Sequence, residues 1–328
     1  MKNFKFVFLI YISVVFFACK KDKETKSPVL PAITSSEYKN DLLFINRADF
    51  QILTSEPAEF SSDDTLIDIS IDGLIKRITS AEVVPINITW KNSGNKLTIY
   101  AVGATDDSFD APYARFHGAL ATDSYSALQA GWETLRKLPF SQETYVIVLR
   151  HADADLGRDY SISPTDQGPP EWWKSCDPDL ARQLNQTGII RSTELGNIFR
   201  DLDYSFARVI SSEFCRSVKT AELINAGPTI QIDGRLNHPS YNKSGLGAFV
   251  GMKELVQEFP VDNKMSLIVT HHPVNEIRTA IAPGFPQVSP FSWTGGYIIK
   301  VDPDKSISYQ GAVSFGMFKY WRNLKLKR

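Results

Sequence analysis

Between residues 42 and 102, apolar and polar positions alternate in short segments, clearest over residues 67–71, 84–90 and 96–102. A period of two puts successive side chains on opposite faces, so each segment predicts a half-buried strand. Asn92-Ser93-Gly94-Asn95 supplies turn residues for a hairpin between the last two. The pattern then changes. Residues 124–137 predict a helix, and Tyr145-Val-Ile-Val-Leu149 is an unbroken apolar run of the kind buried on both faces of a parallel sheet. Leu195, Ile198, Phe199 and Leu202 follow the spacing of a core-facing helix. A strand is predicted over 207–210, a helix over 216–226 and a strand over 229–232. Next come a helix with Phe249, Met252, Val256 and Phe259 on one face, a strand over 267–270 and a helix over 274–281. Such alternation predicts an open α/β sheet with helices on both faces.

Length favours two folded units. The predicted organisation is a leader over 1–19, a tether over 20–36, a small all-β sandwich over 37–105, a linker and helix over 106–140, an α/β domain over 141–318 and a basic tail over 319–328. The tail reads as a solvated end, and the sandwich as a spacer. With 36 basic against 37 acidic residues the net charge is -1, which gives no electrostatic footprint for nucleic acid.

The first residues bear on compartment. Lys2 and Lys5 precede an apolar run over 6–17, then Ala18, Cys19 and a charged stretch. The run is short for a bilayer span. It resembles a bacterial lipoprotein signal, which implies cleavage before Cys19, lipidation of its sulfur, and an exported chain anchored by lipid to the cell envelope. The alternative is a plain secretory signal with an incidental cysteine. Cys176 and Cys215 then remain, expected as free thiols, with one disulfide as the alternative.

Ligands of open α/β sheets sit beyond the carboxyl ends of the strands. Three segments fall there: Leu149-Arg150-His151-Ala152, Ser211-Ser212-Glu213-Phe214-Cys215-Arg216 and Val269-Thr270-His271-His272-Pro273. Two histidines and two arginines are thereby placed to meet over one pocket. A neutral imidazole can attack phosphorus and hold it covalently. Forked guanidinium groups match phosphate oxygens. No metal or other cofactor is needed for that chemistry. Adjacent His271 and His272 make a poor metal site, because no carboxylate joins them at helical spacing. The long segment 156–180, rich in Pro, Gly and Asp and carrying Trp172-Trp173, reads as an insertion above the pocket.

These segments resemble the histidine phosphatase superfamily, whose phosphoglycerate-mutase-like domain is a three-layer α/β sandwich. Residues 145–152 resemble its Arg-His-Gly/Ala signature, Leu184 to Gly188 its Leu-Thr-x-x-Gly segment, Ser212 to Glu222 its arginine-bearing segment, and 269–273 its second histidine strand. The resemblance covers roughly residues 142–315 and looks closest to the phosphohistidine phosphatase branch. It implies His151 as nucleophile, Arg150 and Arg216 as phosphate ligands, and His271 as partner in the transition state. The glutamate usual in the family after Arg235-Leu236 is replaced by Asn237 and His238, which leaves Asp153, Asp155 and His238 as possible proton donors. The β segment looks like the immunoglobulin-type modules of surface lipoproteins. The expected function is hydrolysis of a phosphorylated small molecule or phosphoprotein through phosphohistidine. The alternative is a catalytically silent phospho-ligand binding or surface adhesion lipoprotein.

Overall fold

The computed structural model describes residues 30–45, 49–79, 82–103, 121–160, 165–237, 241, 248–271 and 292–327. The leader with Cys19, His238, His272 and the helix expected over 274–281 lie outside the described residues.

The C-terminal sheet is built from β9 (Thr144–Arg150), β10 (Phe206–Ser211), β11 (Ile230–Ile232), β12 (Met265–Thr270), β13 (Gly296–Val301) and β14 (Ile307–Val313). Its order is β11-β10-β12-β9-β13-β14. The first four strands run parallel, while β13 and β14 are antiparallel additions at one side. Three helices connect the parallel strands: α2 (Gln186–Asp201), α3 (Cys215–Ile224) and α4 (Ala248–Gln257), following α1 (Ala121–Leu135) in the chain. The crossovers through α2 and α3 move across the sheet in one direction and that through α4 moves back. With right-handed connections this puts α2 and α3 on one face and α4 on the other, giving three layers. Strand β9 lies centrally and is buried along its whole length, as its unbroken apolar run requires.

The N-terminal residues form β1 (Tyr38–Lys39), β2 (Leu42–Ile45), β3 (Phe50–Gln51), β4 (Ala58–Ser61), β5 (Ile67–Ile69), β6 (Leu74–Ile78), β7 (Val84–Trp90) and β8 (Lys96–Gly103). They make a five-stranded sheet, β1-β2-β8-β7-β4, and a three-stranded sheet, β3-β6-β5. The hairpin expected at residues 92–95 joins β7 to β8. Residues counted as tether begin to pair early, since Ile33 bridges Thr54.

The expected immunoglobulin-like sandwich is not a separate domain. In β2, Leu43 and Ile45 enter a core of their own between the two sheets, whereas Leu42 and Phe44 enter the main α/β core with Trp132 of α1. A strand with both faces apolar cannot stand at the surface of a free spacer. Polar contacts close the same junction: Trp132 Nε1 donates to Asn40 O at 3.2 Å and the Tyr320 hydroxyl to Asp41 O at 3.0 Å.

The basic stretch beginning at Lys319 is likewise no solvated end. It continues helix α5 (Phe315–Leu326), capped by Ser314 through a hydrogen bond from Met317 N–H. Phe315, Phe318, Tyr320 and Trp321 are buried, while Lys319 and Lys325 reach outward to Glu194 and Asp203.

Candidate active site

The ends of β9, β12 and β10 bring Arg150, His151, His271 and Arg216 to one place. Backbone bonds set the register: His151 N–H donates to Thr270 O at 2.9 Å, Arg150 N–H to Gly295 O at 2.8 Å and Ser212 N–H to Val269 O at 3.0 Å. All four side chains are buried.

His151 Nδ1 lies 2.7 Å from Ala152 O. A carbonyl only accepts, so Nδ1 carries the proton and Nε2 of the neutral ring presents its lone pair. That Nε2 accepts from Arg216 Nε at 3.2 Å and lies 3.3 Å from His271 Nδ1. Burial, then Arg216, then Arg150 hold His151 well below the usual imidazole range, which keeps it uncharged at neutral pH. The two imidazoles lie parallel, with an interplanar angle of 2° and centroids 5.4 Å apart. Phe214 stacks on His271 at 4.3 Å.

Arg216 ties the site together. It stands in the first turn of α3, where backbone N–H groups favour an anion. Besides His151, its Nη2 donates to His271 Nδ1 at 2.9 Å. Burial lowers its pKa to about 10, so it remains charged at neutral pH. Thr220, one turn further along α3, donates to Arg216 O at 2.7 Å and accepts from Ala152 N–H at 3.1 Å. The arginine-bearing helix is thereby fastened to the segment after His151. Helix α2 closes on the same segment. Its cap Asn185 accepts from Gly188 N–H at 2.8 Å and donates its own N–H to Asp153 O at 3.1 Å. A Cβ at Gly188 would lie 2.2 Å from Asp153 O, so only glycine permits this approach.

Of the proton-donor candidates, the two described are engaged elsewhere or exposed, and His238 lies outside the described residues. Asp153 binds Arg191 through both oxygens at 3.0 and 3.1 Å, and Arg191 binds Glu82 at 3.1 Å. Asp155 is exposed. The carboxylate brought to the site, among the described residues, is Asp159. Its two oxygens accept from Arg216 Nη1 and Nη2, both at 2.9 Å, and one accepts from Arg182 Nη2 at 3.0 Å. Neither Asp159 nor Arg182 was singled out from sequence, because their proximity depends on how a long loop folds. Asn237 is buried and clasps Glu213, accepting from its N–H at 3.1 Å and donating to its carboxylate at 2.7 Å.

The described residues of the insertion pack over this region. Trp172 is buried among Tyr160, Phe214 and Tyr241. Cys176 and Cys215 form a disulfide, which overturns the expectation of free thiols. The long loop lays Cys176 beside the start of α3, a proximity that 39 residues of separation conceal.

No protein-family model matches the chain, and no curated protein matches it. Among solved structures, the chain is similar to the protein histidine phosphatase SixA complexed with tungstate, at 20% identity and a TM-score of 0.38, covering 52% of this chain and 97% of that one. A mycobacterial glucosyl-3-phosphoglycerate phosphatase in complex with VO3 is 12% identical, with a TM-score of 0.35 and coverage of 50% and 95%. Phosphoserine phosphatase from Entamoeba histolytica in complex with 3-phosphoglyceric acid is 14% identical, with a TM-score of 0.35 and coverage of 53% and 99%.

Proposed function

We propose that the chain is a phosphohydrolase of the histidine phosphatase type, acting on a phosphorylated small molecule or phosphoprotein through a phosphohistidine at His151. The observation that carries this reading is the arrangement at His151 Nε2. An uncharged ring whose other nitrogen is committed to Ala152 O presents its lone pair beside a second imidazole and a buried guanidinium bonded to both. In the first step Nε2 attacks phosphorus and the ester oxygen departs with the bonding pair, taking from solvent a proton that the attacking water gives back in the second step. In the second, water attacks the phosphorus, the P–N bond breaks, and the ring regains its lone pair as inorganic phosphate leaves. Arg216 and Arg150 offset the charge on the transferring group. His271 stands where an N–H can donate to a phosphoryl oxygen.

The phosphohistidine phosphatase branch is the finer assignment we favour. A phosphoramidate nitrogen is basic enough to carry its own proton and an anhydride releases a stable anion, so either asks little of an acid from the protein, which suits a site whose Asp153 is engaged with Arg191. Export and lipidation at Cys19 are part of the same proposal. They rest on the leader sequence, and the Cys176–Cys215 disulfide supports an oxidising compartment.

Hydrolysis of an aryl phosphate by the full chain, abolished in His151→Ala, tests the reading. Intact-mass detection of one phosphoryl group on acid-labile linkage at His151 identifies the intermediate. Turnover that survives His151→Ala removes the assignment, and phosphate binding without turnover assigns a silent binding module instead.

A further inference from the structure

Arg216 offers a planar fork with two parallel N–H bonds, the geometry that matches two oxygens of a phosphate. In this structure that fork faces Asp159 through both carboxylate oxygens at 2.9 Å. Arg182 completes the cradle, with Nη2 at 3.0 Å and its backbone N–H at 3.2 Å from the same carboxylate. The carboxylate therefore stands one guanidinium away from His151 Nε2, because the same Arg216 donates to that nitrogen. It holds the Nη1–Nη2 edge of the guanidinium, the edge that pairs two oxygens of an anion.

We propose that Asp159 is a specificity-determining residue, an internal carboxylate that occupies the anion fork and admits only ligands able to displace it, namely dianionic terminal phosphoryl groups, whether carried on oxygen or nitrogen, or inorganic phosphate. This rests on the phosphohydrolase reading and refines it. The selection follows from charge and tethering. Asp159 belongs to the same chain, so it competes at the high effective concentration of an intramolecular ligand. A free monoanion brings no more charge than the carboxylate it would replace and lacks the tether, so it loses. A phosphate dianion brings a second charge and further oxygens for Arg150 and the histidines, and it wins. The loop is held in position to compete by three features. Leu156 pairs with Gln183, Trp172 is buried in the aromatic cluster, and Cys176 is joined to Cys215 next to Arg216.

The test compares full-length wild type with Asp159→Asn and Asp159→Ala, measuring binding of inorganic phosphate by calorimetry above neutral pH, with formate as the competing monoanion. The Asp159 side chain is 22% exposed while its partner Arg216 is buried, so the urea midpoint of each variant is measured alongside binding to confirm that it is folded, and two replacements guard against a defect peculiar to one. Both variants are expected to bind phosphate about tenfold more tightly or better. Formate, inert toward the wild type, is expected to compete with phosphate in Asp159→Ala. Phosphate binding that is unchanged or weaker in both variants overturns the assignment. If the wild type hydrolyses an aryl phosphate and that result is obtained, the assignment alone fails. If neither wild type nor variants bind phosphate, the phosphohydrolase reading fails with it.

Discussion

Replacing His151 by Asn removes a titrating ring while keeping a planar polar side chain, and it isolates how strongly the site enforces the neutral imidazole. In the folded protein burial first, and then Arg216 and Arg150, hold His151 well below its ordinary value of 6.5. In the unfolded chain it titrates near that value. Below it the unfolded state takes up a proton that the folded state refuses. The stability due to a neutral His151 is therefore fully present above about pH 6.5 and is lost as pH falls toward the folded value. Between about pH 7.5 and about pH 5.5 the loss is RT times the logarithm of roughly ten, or about 1.4 kcal/mol. Urea unfolding of wild type and His151→Asn at both pH values measures it, because the other titrating groups are shared and cancel in the difference. The wild type should lose about 1.4 kcal/mol more than the variant. Equal losses, or a smaller loss in the wild type, would refute the claim that the site depresses this ring. Stability is the better readout than turnover here, since a phosphate substrate titrates over the same range.

Cys176→Ser opens a loop of 39 residues; on the chain-entropy account this costs up to about 4 kcal/mol, read as a lower denaturation midpoint that reductant reproduces in the wild type, and an unchanged midpoint refutes it. Gly188→Ala drives a Cβ to 2.2 Å from Asp153 O, so α2 or the segment after His151 must move. A stability loss of about 1–3 kcal/mol together with a fall in kcat/KM for an aryl phosphate is expected, and a variant with wild-type values of both contradicts the close approach.

The sheet and the two histidines were legible because their signals are local. Residues 145–149 are apolar without interruption, and a central strand buried on both faces has no other sequence to show. Arg150 ends a strand, His151 and His271 follow one directly, and Arg216 opens the helix after one, so reading the strands placed them at the carboxyl edge. Asp159 and Arg182 left no such trace. They belong to a loop whose path is set by a disulfide and an aromatic cluster rather than by periodicity, and charged residues in long loops are commonly solvated. Helix α5 was hidden by its charges: Lys319, Arg322 and Lys325 suggested a tail, although Ser314 as cap and the buried Phe315, Phe318 and Trp321 carry a helical signal. Strand β14 escaped notice because Ile307-Ser-Tyr-Gln-Gly carries little apolar pattern.

The β unit has the sequence pattern of a spacer for a physical reason. Alternation shows which residues of a strand share a face and is silent about what covers the second face. In β2 the apolar run Leu42-Leu43-Phe44-Ile45 is covered on both, one face by each core. The junction is not only apolar. Glu82, in the connection leading to β7, binds Arg191 on α2, and Arg191 binds Asp153, two residues beyond His151. Burial pushes Glu82 above the usual carboxylate range, while Arg191 draws it down. Removing one member of such a group leaves a partly buried partner uncompensated, which costs more than an exposed ion pair returns. A truncation that keeps only the α/β residues would therefore uncover Trp132 and Tyr320 and strip Arg191 of one carboxylate at the same time. It would disturb the segment that carries His151, so the isolated α/β portion is not a neutral reagent for measuring activity. Any comparison of variants at His151, Arg216 or Asp159 has to be made in the chain that retains the β unit.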